Sequence, residues 1–175
     1  VTQPTAGSGL LFGDGWALLP QDAHDVAWDW VDAQLAFRPS MDERDWPGFA
    51  EPKPSVTWDL AEPQPSGGAA RDLDVNLLGL VALRECVEPD EWVYALSWPS
   101  QSYRFWPHRM SSGDLWALPV FPDGEYCVFL TQSFECGALG HPWEKTLCVF
   151  GEPLVDAFER YTVEILGTVL RRDGR

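Results

Sequence analysis

The chain has 175 residues and a formal net charge of −15, from 27 acidic and 12 basic side chains. That field repels nucleic-acid phosphates and anionic membranes, so the partners expected are a basic protein or a cationic small molecule, with no nucleic acid and no membrane. A hydrophobic fraction of 45% with ten tryptophans is too apolar for disorder and sufficient for one sizeable core.

Residues 1–19 are rich in Gly, Ser, Thr and Pro and read as a loose N-terminal arm, with Leu10, Leu11, Phe12 and Trp16 available to tuck against the body. Residues 20–175 read as a single α+β domain. Its first helix starts near Asp22, with Val26, Trp30, Ala33 and Phe37 as the expected apolar face and Asp22, Asp25, Asp29 and Asp32 in a row on another. Pro39 ends it.

Val56, Trp58 and Leu60 alternate with polar neighbours and predict a strand, followed by a Pro/Gly/Ser loop over 61–70. A second helix is expected from about Arg71 to Val87, closed by Pro89. Glu91–Trp98 and Gln101–Trp106 alternate on either side of a Pro-Ser turn, which predicts an antiparallel hairpin. Asp114–Val120 reads as a third strand, at an edge because of Pro119.

Pro122-Asp123-Gly124 is a turn. Tyr126–Thr131, apolar on both faces, suits a central strand, and Lys145–Phe150 is the last. Pro153 opens a closing helix with Leu154, Phe158, Tyr161 and Ile165 buried and Arg171, Arg172 and Arg175 at its negative end. The expected architecture is therefore α+β, an antiparallel meander of about five strands with about three helices packed on one face.

No apolar run approaches the roughly 20 residues of a membrane span, and the N-terminal residues lack the pattern of a signal peptide. A cytoplasmic protein with reduced cysteines is expected. Cys127, Cys136, His141 and Cys148 are separated by 8, 4 and 6 residues, which is not a paired-ligand zinc pattern, so no metal is assigned. No phosphate-binding glycine motif occurs and no cofactor is expected.

Two constellations remain. Acid–base chemistry would use His141 with Asp123 or Glu144, set against a plain turn role in which His141 bonds to backbone. Ligand or peptide binding would use Trp92, Tyr94, Trp98, Tyr103 and Phe105 on one face of the hairpin, with Trp116 and Trp143 on neighbouring segments. The turns at Pro122–Gly124 and Gly140–Glu144 are expected to frame a pocket beside these aromatics.

PSVTWDL (Pro54–Leu60), VYALSWPSQSYRFWP (Val93–Pro107), FPDGEYCVFL (Phe121–Leu130) and GHPWEKTLCVFG (Gly140–Gly151) together resemble the bacterial domain-of-unknown-function family 2716. The resemblance implies a small bacterial protein with no assigned activity, and it carries over no catalytic residue. The first 40 residues match it weakly. The leading expectation is a non-enzymatic acidic binding domain, of which an immunity-type protein neutralising a basic toxin is one form. The alternatives are a small enzyme built on His141 and a nearby carboxylate, and a self-associating domain with exposed tryptophans.

Overall fold

The computed structural model describes residues 12–61, 69–111, 113–161 and 165–175, with backbone only at 69–73 and 161. Among the described residues, eight strands and three α-helices follow one another as β1 (Trp16–Leu18), α1 (Gln21–Leu35), β2 (Ser55–Asp59), α2 (Ala69–Cys86), β3 (Val93–Trp98), β4 (Tyr103–Phe105), β5 (Tyr126–Leu130), β6 (Gly137–His141), β7 (Thr146–Phe150), α3 (Glu152–Tyr161) and β8 (Val169–Arg172). All strand pairs are antiparallel, in the order β1-β4-β3-β5-β6-β7-β2-β8. The α+β class, three helices and antiparallel sheet agree with expectation; the sheet has eight strands rather than about five.

The helices cover both faces of the sheet, not one. α1 packs Ala27, Val31 and Leu35 onto Leu96, Tyr126, Val128, Leu130 and Leu139. On the other face α2 and α3 bury Leu78, Leu83, Leu154 and Phe158 against Ala95, Phe129, Ala138 and Val149. Strands β5, β6 and β7 are buried at every position, as central strands between two helical layers must be.

The spans of α1 and α2 were legible, but the buried stripe of α1 was placed one residue off. Ala27, Val31 and Leu35, spaced i, i+4, i+8, face the sheet, while Val26 is 55% exposed. Bulk misled here: alanine at 27 lets the helix lie close to the sheet, and the tryptophans at 28 and 30 flank the contact.

Three strands lay outside the expected set. Trp16–Leu18, placed in the loose arm, pairs with β4 as an edge strand, with Trp16 buried and its ring stacked 4.2 Å from that of Phe105; residues 1–11, with Leu10 and Leu11, lie outside the described residues. β6 is built from small residues because larger ones do not fit. A Cβ on Gly137 would stand 2.6 Å from the Phe129 carbonyl oxygen, and one on Gly140 would stand 2.9 Å from Pro122 Cβ. β8 replaces the expected end of the closing helix; α3 spans Glu152–Tyr161, and Arg171 and Arg172 lie in a strand paired with β2.

Asp114–Val120 is not a strand. The amides of Val120 and Phe121 donate to Oδ1 of Asn76 on α2, at 2.7 and 3.0 Å, so this segment is tied to a helix instead of a sheet neighbour. Asn76 takes the place of the strand partner.

Candidate functional site

Between residues 36 and 54 the chain crosses the α1 face of the sheet as a closed loop. Arg38 N–H donates to the Gly48 carbonyl and Ala50 N–H to the Leu35 carbonyl, both at 2.6 Å. Beneath it lies His141, 0% exposed, at the end of β6. The Glu144 amide donates to His141 Nδ1 at 3.0 Å, which leaves the proton on Nε2, 3.1 Å from the Tyr126 hydroxyl. That hydroxyl donates to the Ser40 carbonyl and accepts from the Ser40 N–H, each at 3.1 Å. The ring of Trp46 closes over the imidazole edge-on, with centroids 5.3 Å apart.

Both ring nitrogens of His141 are therefore engaged. Burial pushes its pKa down to about 4, against the upward pull of the Glu144 carboxylate, so the ring is neutral at pH 7. Glu144 is itself committed. Arg171 of β8 donates Nη1 and Nη2 to its two carboxylate oxygens at 2.6 and 3.0 Å, and the Thr146 hydroxyl adds a bond at 2.8 Å. Burial opposes the Glu144 carboxylate, but Arg171 and Thr146 outweigh it and hold its pKa below the ordinary value.

Arg171 Nε also reaches Glu51 of the loop at 2.6 Å, whose Oε1 accepts from Thr57 at 2.9 Å. The Glu51 side chain is 2% exposed, so an acid–base–acid triad staples the loop to β2, β7 and β8. Asp123 is exposed in the turn before β5, and among the described residues no hydrogen bond joins it to His141 or Glu144. His141 and Glu144 lie side by side, joined through the Glu144 amide, and Asp123 stands apart from them. The two expected turns do meet, through Pro122 packed on Gly140.

The aromatic set divides between the two faces. Trp92, Tyr94, Trp98 and Trp143 lie on the α1 side, whereas Tyr103, Phe105 and Trp116 belong to the α2–α3 side. Register is the reason: Phe105 stands opposite Val93 and Tyr103 opposite Ala95, and directly paired residues share a face. Cys127 and Cys148 likewise point to opposite faces, and burial pushes both thiols up to about 12.

A cleft of about 360 Å³ opens where α1 passes the β3–β4 turn. His24, Trp28 and Asp32, one i, i+4, i+8 stripe of α1, form one wall with Phe37, and Trp98 and Ser100 form the other. The rings make a horseshoe: Trp28 to Phe37 at 5.6 Å, Phe37 to Tyr126 at 5.1 Å, and Tyr126 to Trp98 at 6.2 Å. Of the aromatics singled out from sequence, Trp98 lines it. Trp28 was missed, although a tryptophan set within the aspartate row was the available signal.

A wider depression of about 560 Å³ between α2 and α3 is lined by Glu85, Asp156, Glu159 and Arg160. Two of its three acids are already engaged: Glu85 pairs with Arg160, and Glu159 with Arg172 at 2.7 Å. Among the described residues no group of three or more His, Cys, Asp or Glu side chains is placed to hold a metal ion. No described helix is long and apolar enough to cross a membrane.

The model of a family described as protein of unknown function, DUF2716, matches residues 18–155. The chain belongs to this family. Among its relatives is the uncharacterized protein YxiI of Bacillus subtilis strain 168, 30% identical over 154 residues that span 82% of this chain and 92% of the relative. No solved structure matches. The matched residues run from the end of β1 into α3 and so include α1, the loop over His141 and both walls of the cleft.

Proposed function

We propose that this DUF2716 protein is a non-enzymatic binding domain that engages a basic partner through the outer face of α1. One observation carries the reading. The chain has only 12 basic side chains, and several are spent on acids elsewhere, as in Arg44–Asp42, Arg160–Glu85, Arg172–Glu159 and the Arg171 triad. Among the described residues, the α1 row receives none of them. Asp22, Asp25, Asp29 and Asp32 are all exposed, and among the described residues none of them meets a lysine or arginine; Asp25 bonds only Gln21 and His24. Uncompensated charge of one sign on a rigid helix steers an oppositely charged partner and fixes its orientation.

An immunity-type protein that neutralises a basic toxin is one form this takes, by analogy of size and charge, and a cytoplasmic location suits four unpaired thiols. The competing enzyme reading would need a proton-transferring His141, and the geometry lends it no support because neither imidazole nitrogen is open to a substrate.

Affinity capture from a bacterial lysate at low ionic strength, compared between the wild type and Asp25→Lys/Asp29→Lys, tests the proposal. The wild type captures a basic protein that is released as salt rises, and the charge-reversed variant does not. Capture that ignores both salt and charge reversal contradicts it.

A further inference from the structure

We propose that the cleft between α1 and the β3–β4 turn is a receptor for one organic cation, an ammonium or guanidinium head on an alkyl stem. This deepens the reading above and rests on it: the cleft adjoins the aspartate row and shares Asp32 with it. Three observations converge. The walls are aromatic on both sides, with Trp28 and Phe37 facing Trp98, and a cation is drawn to the faces of such rings. Asp32 lines the cleft and has no hydrogen-bond partner among the described residues, which leaves a carboxylate to meet the charge. The hydroxyls of Ser97 and Ser100, on the opposite wall, both donate to Glu125, the latter at 2.5 Å. Those bonds brace the β3–β4 turn and set a second carboxylate behind it.

Size and donor set narrow the ligand. A cleft of about 360 Å³ lies at the small end of ligand sites, large enough for one side chain or a small amine. A hard metal ion takes six or more oxygen ligands, and the lining offers a single carboxylate among rings. Anionic ligands would meet Asp32 with no basic side chain beside it but His24.

The test is a titration of the intact chain with butylammonium, butylguanidinium and neutral butanol, followed through the indole N–H resonances of Trp28 and Trp98. The cations give saturable shifts at these two indoles and butanol does not. Trp98→Ala weakens binding about tenfold, and Asp32→Asn about threefold. Trp98 is 39% exposed, so its truncation opens no core; the exposed Asp32 provides a second variant if the first does not fold. A free amine and a partner's side chain are separated by comparing butylammonium with short glycine peptides carrying one lysine or one arginine. Tighter binding of the peptides identifies a protein side chain as the occupant, and tighter binding of the free cation identifies a small amine. Shifts that do not saturate, that spread over the acidic surface, or that butanol reproduces overturn the cleft proposal. They do so even where a basic protein is captured through the aspartate row, so the two readings fail separately.

Discussion

His141 Nε2 and the hydroxyl of Tyr126 lie 3.1 Å apart at the centre of a fully partnered buried network that joins the loop at Ser40 to strands β5 and β6. Removing the hydroxyl strands two donors at once, the imidazole N–H and the Ser40 N–H, while the Ser40 carbonyl keeps its bond from the Trp46 indole N–H at 3.1 Å. Tyr126→Phe is therefore expected to cost about 1–3 kcal/mol, the scale of leaving buried polar groups unpaired, despite keeping the ring. Urea denaturation of the two proteins measures it; equal midpoints would mean that the hydroxyl has no structural role.

The same network makes stability depend on pH. Histidine in the unfolded chain takes a proton near pH 6.5, whereas folded His141 takes one only at about 4. Between those values the unfolded state holds the extra proton, so the stability that neutral His141 contributes is present above pH 6.5 and is lost as the pH falls toward 4. The loss is on the order of 3 kcal/mol across that window. Glu144, whose folded pKa is lowered, adds its own loss as the pH falls below the ordinary carboxylate value. His141→Gln, which keeps a donor and an acceptor but does not titrate, is expected to be nearly flat from pH 6.5 to 5 while the wild type declines. Parallel curves would contradict this.

Arg171 joins two carboxylates from opposite sides, Glu51 of the loop and Glu144 of the β6–β7 turn. Taking away the guanidinium leaves both anions in a site where little solvent reaches, with Glu51 Oε2 already lacking a hydrogen-bond partner. Arg171→Met is expected to destabilise by about 3–5 kcal/mol, and Glu51→Gln/Arg171→Met/Glu144→Gln by distinctly less, because the uncompensated charge is gone. Thermal melts of both variants decide it. A triple variant no better than the single one would place the cost in packing rather than charge.

Gly137→Ala tests why β6 is made of small residues. The added Cβ meets the Phe150 ring at 2.5 Å and the Phe129 carbonyl oxygen at 2.6 Å, and backbone cannot yield as a side chain does. A loss of about 1–3 kcal/mol is expected from this overpacking in urea titrations. A neutral result would show slack between β5 and β7.

Much of the fold was legible where local signals and tertiary contacts agree. The doubly apolar run at Tyr126–Thr131 reads as a central strand and forms β5; Lys145–Phe150 reads as the last strand, and its core forms β7, which is as buried as β5. Gly137–His141 did not read as a strand because its composition is dictated by neighbours rather than by strand preference. Val169–Arg172 was hidden for a related reason: its arginines satisfy distant carboxylates, and nothing local announces that pairing. At the site, the turn role of His141 was visible in the Gly-His-Pro-Trp-Glu sequence, but its Tyr126 partner was not. The cleft was half visible, through Trp98. Its other wall depended on the exact buried stripe of α1, where a one-residue error moves Trp28 away from the cleft.

The outer face of α1 is the proposed surface by which this protein recognises a basic partner. It is tested most directly by the association rate of the captured basic protein with the wild type and with Asp25→Lys/Asp29→Lys, measured by surface plasmon resonance from low to high salt. The wild-type rate is expected to fall about tenfold or more as salt screens the aspartate row, and the variant to be slow throughout. Equal rates for the two proteins, unchanged by salt, would contradict it.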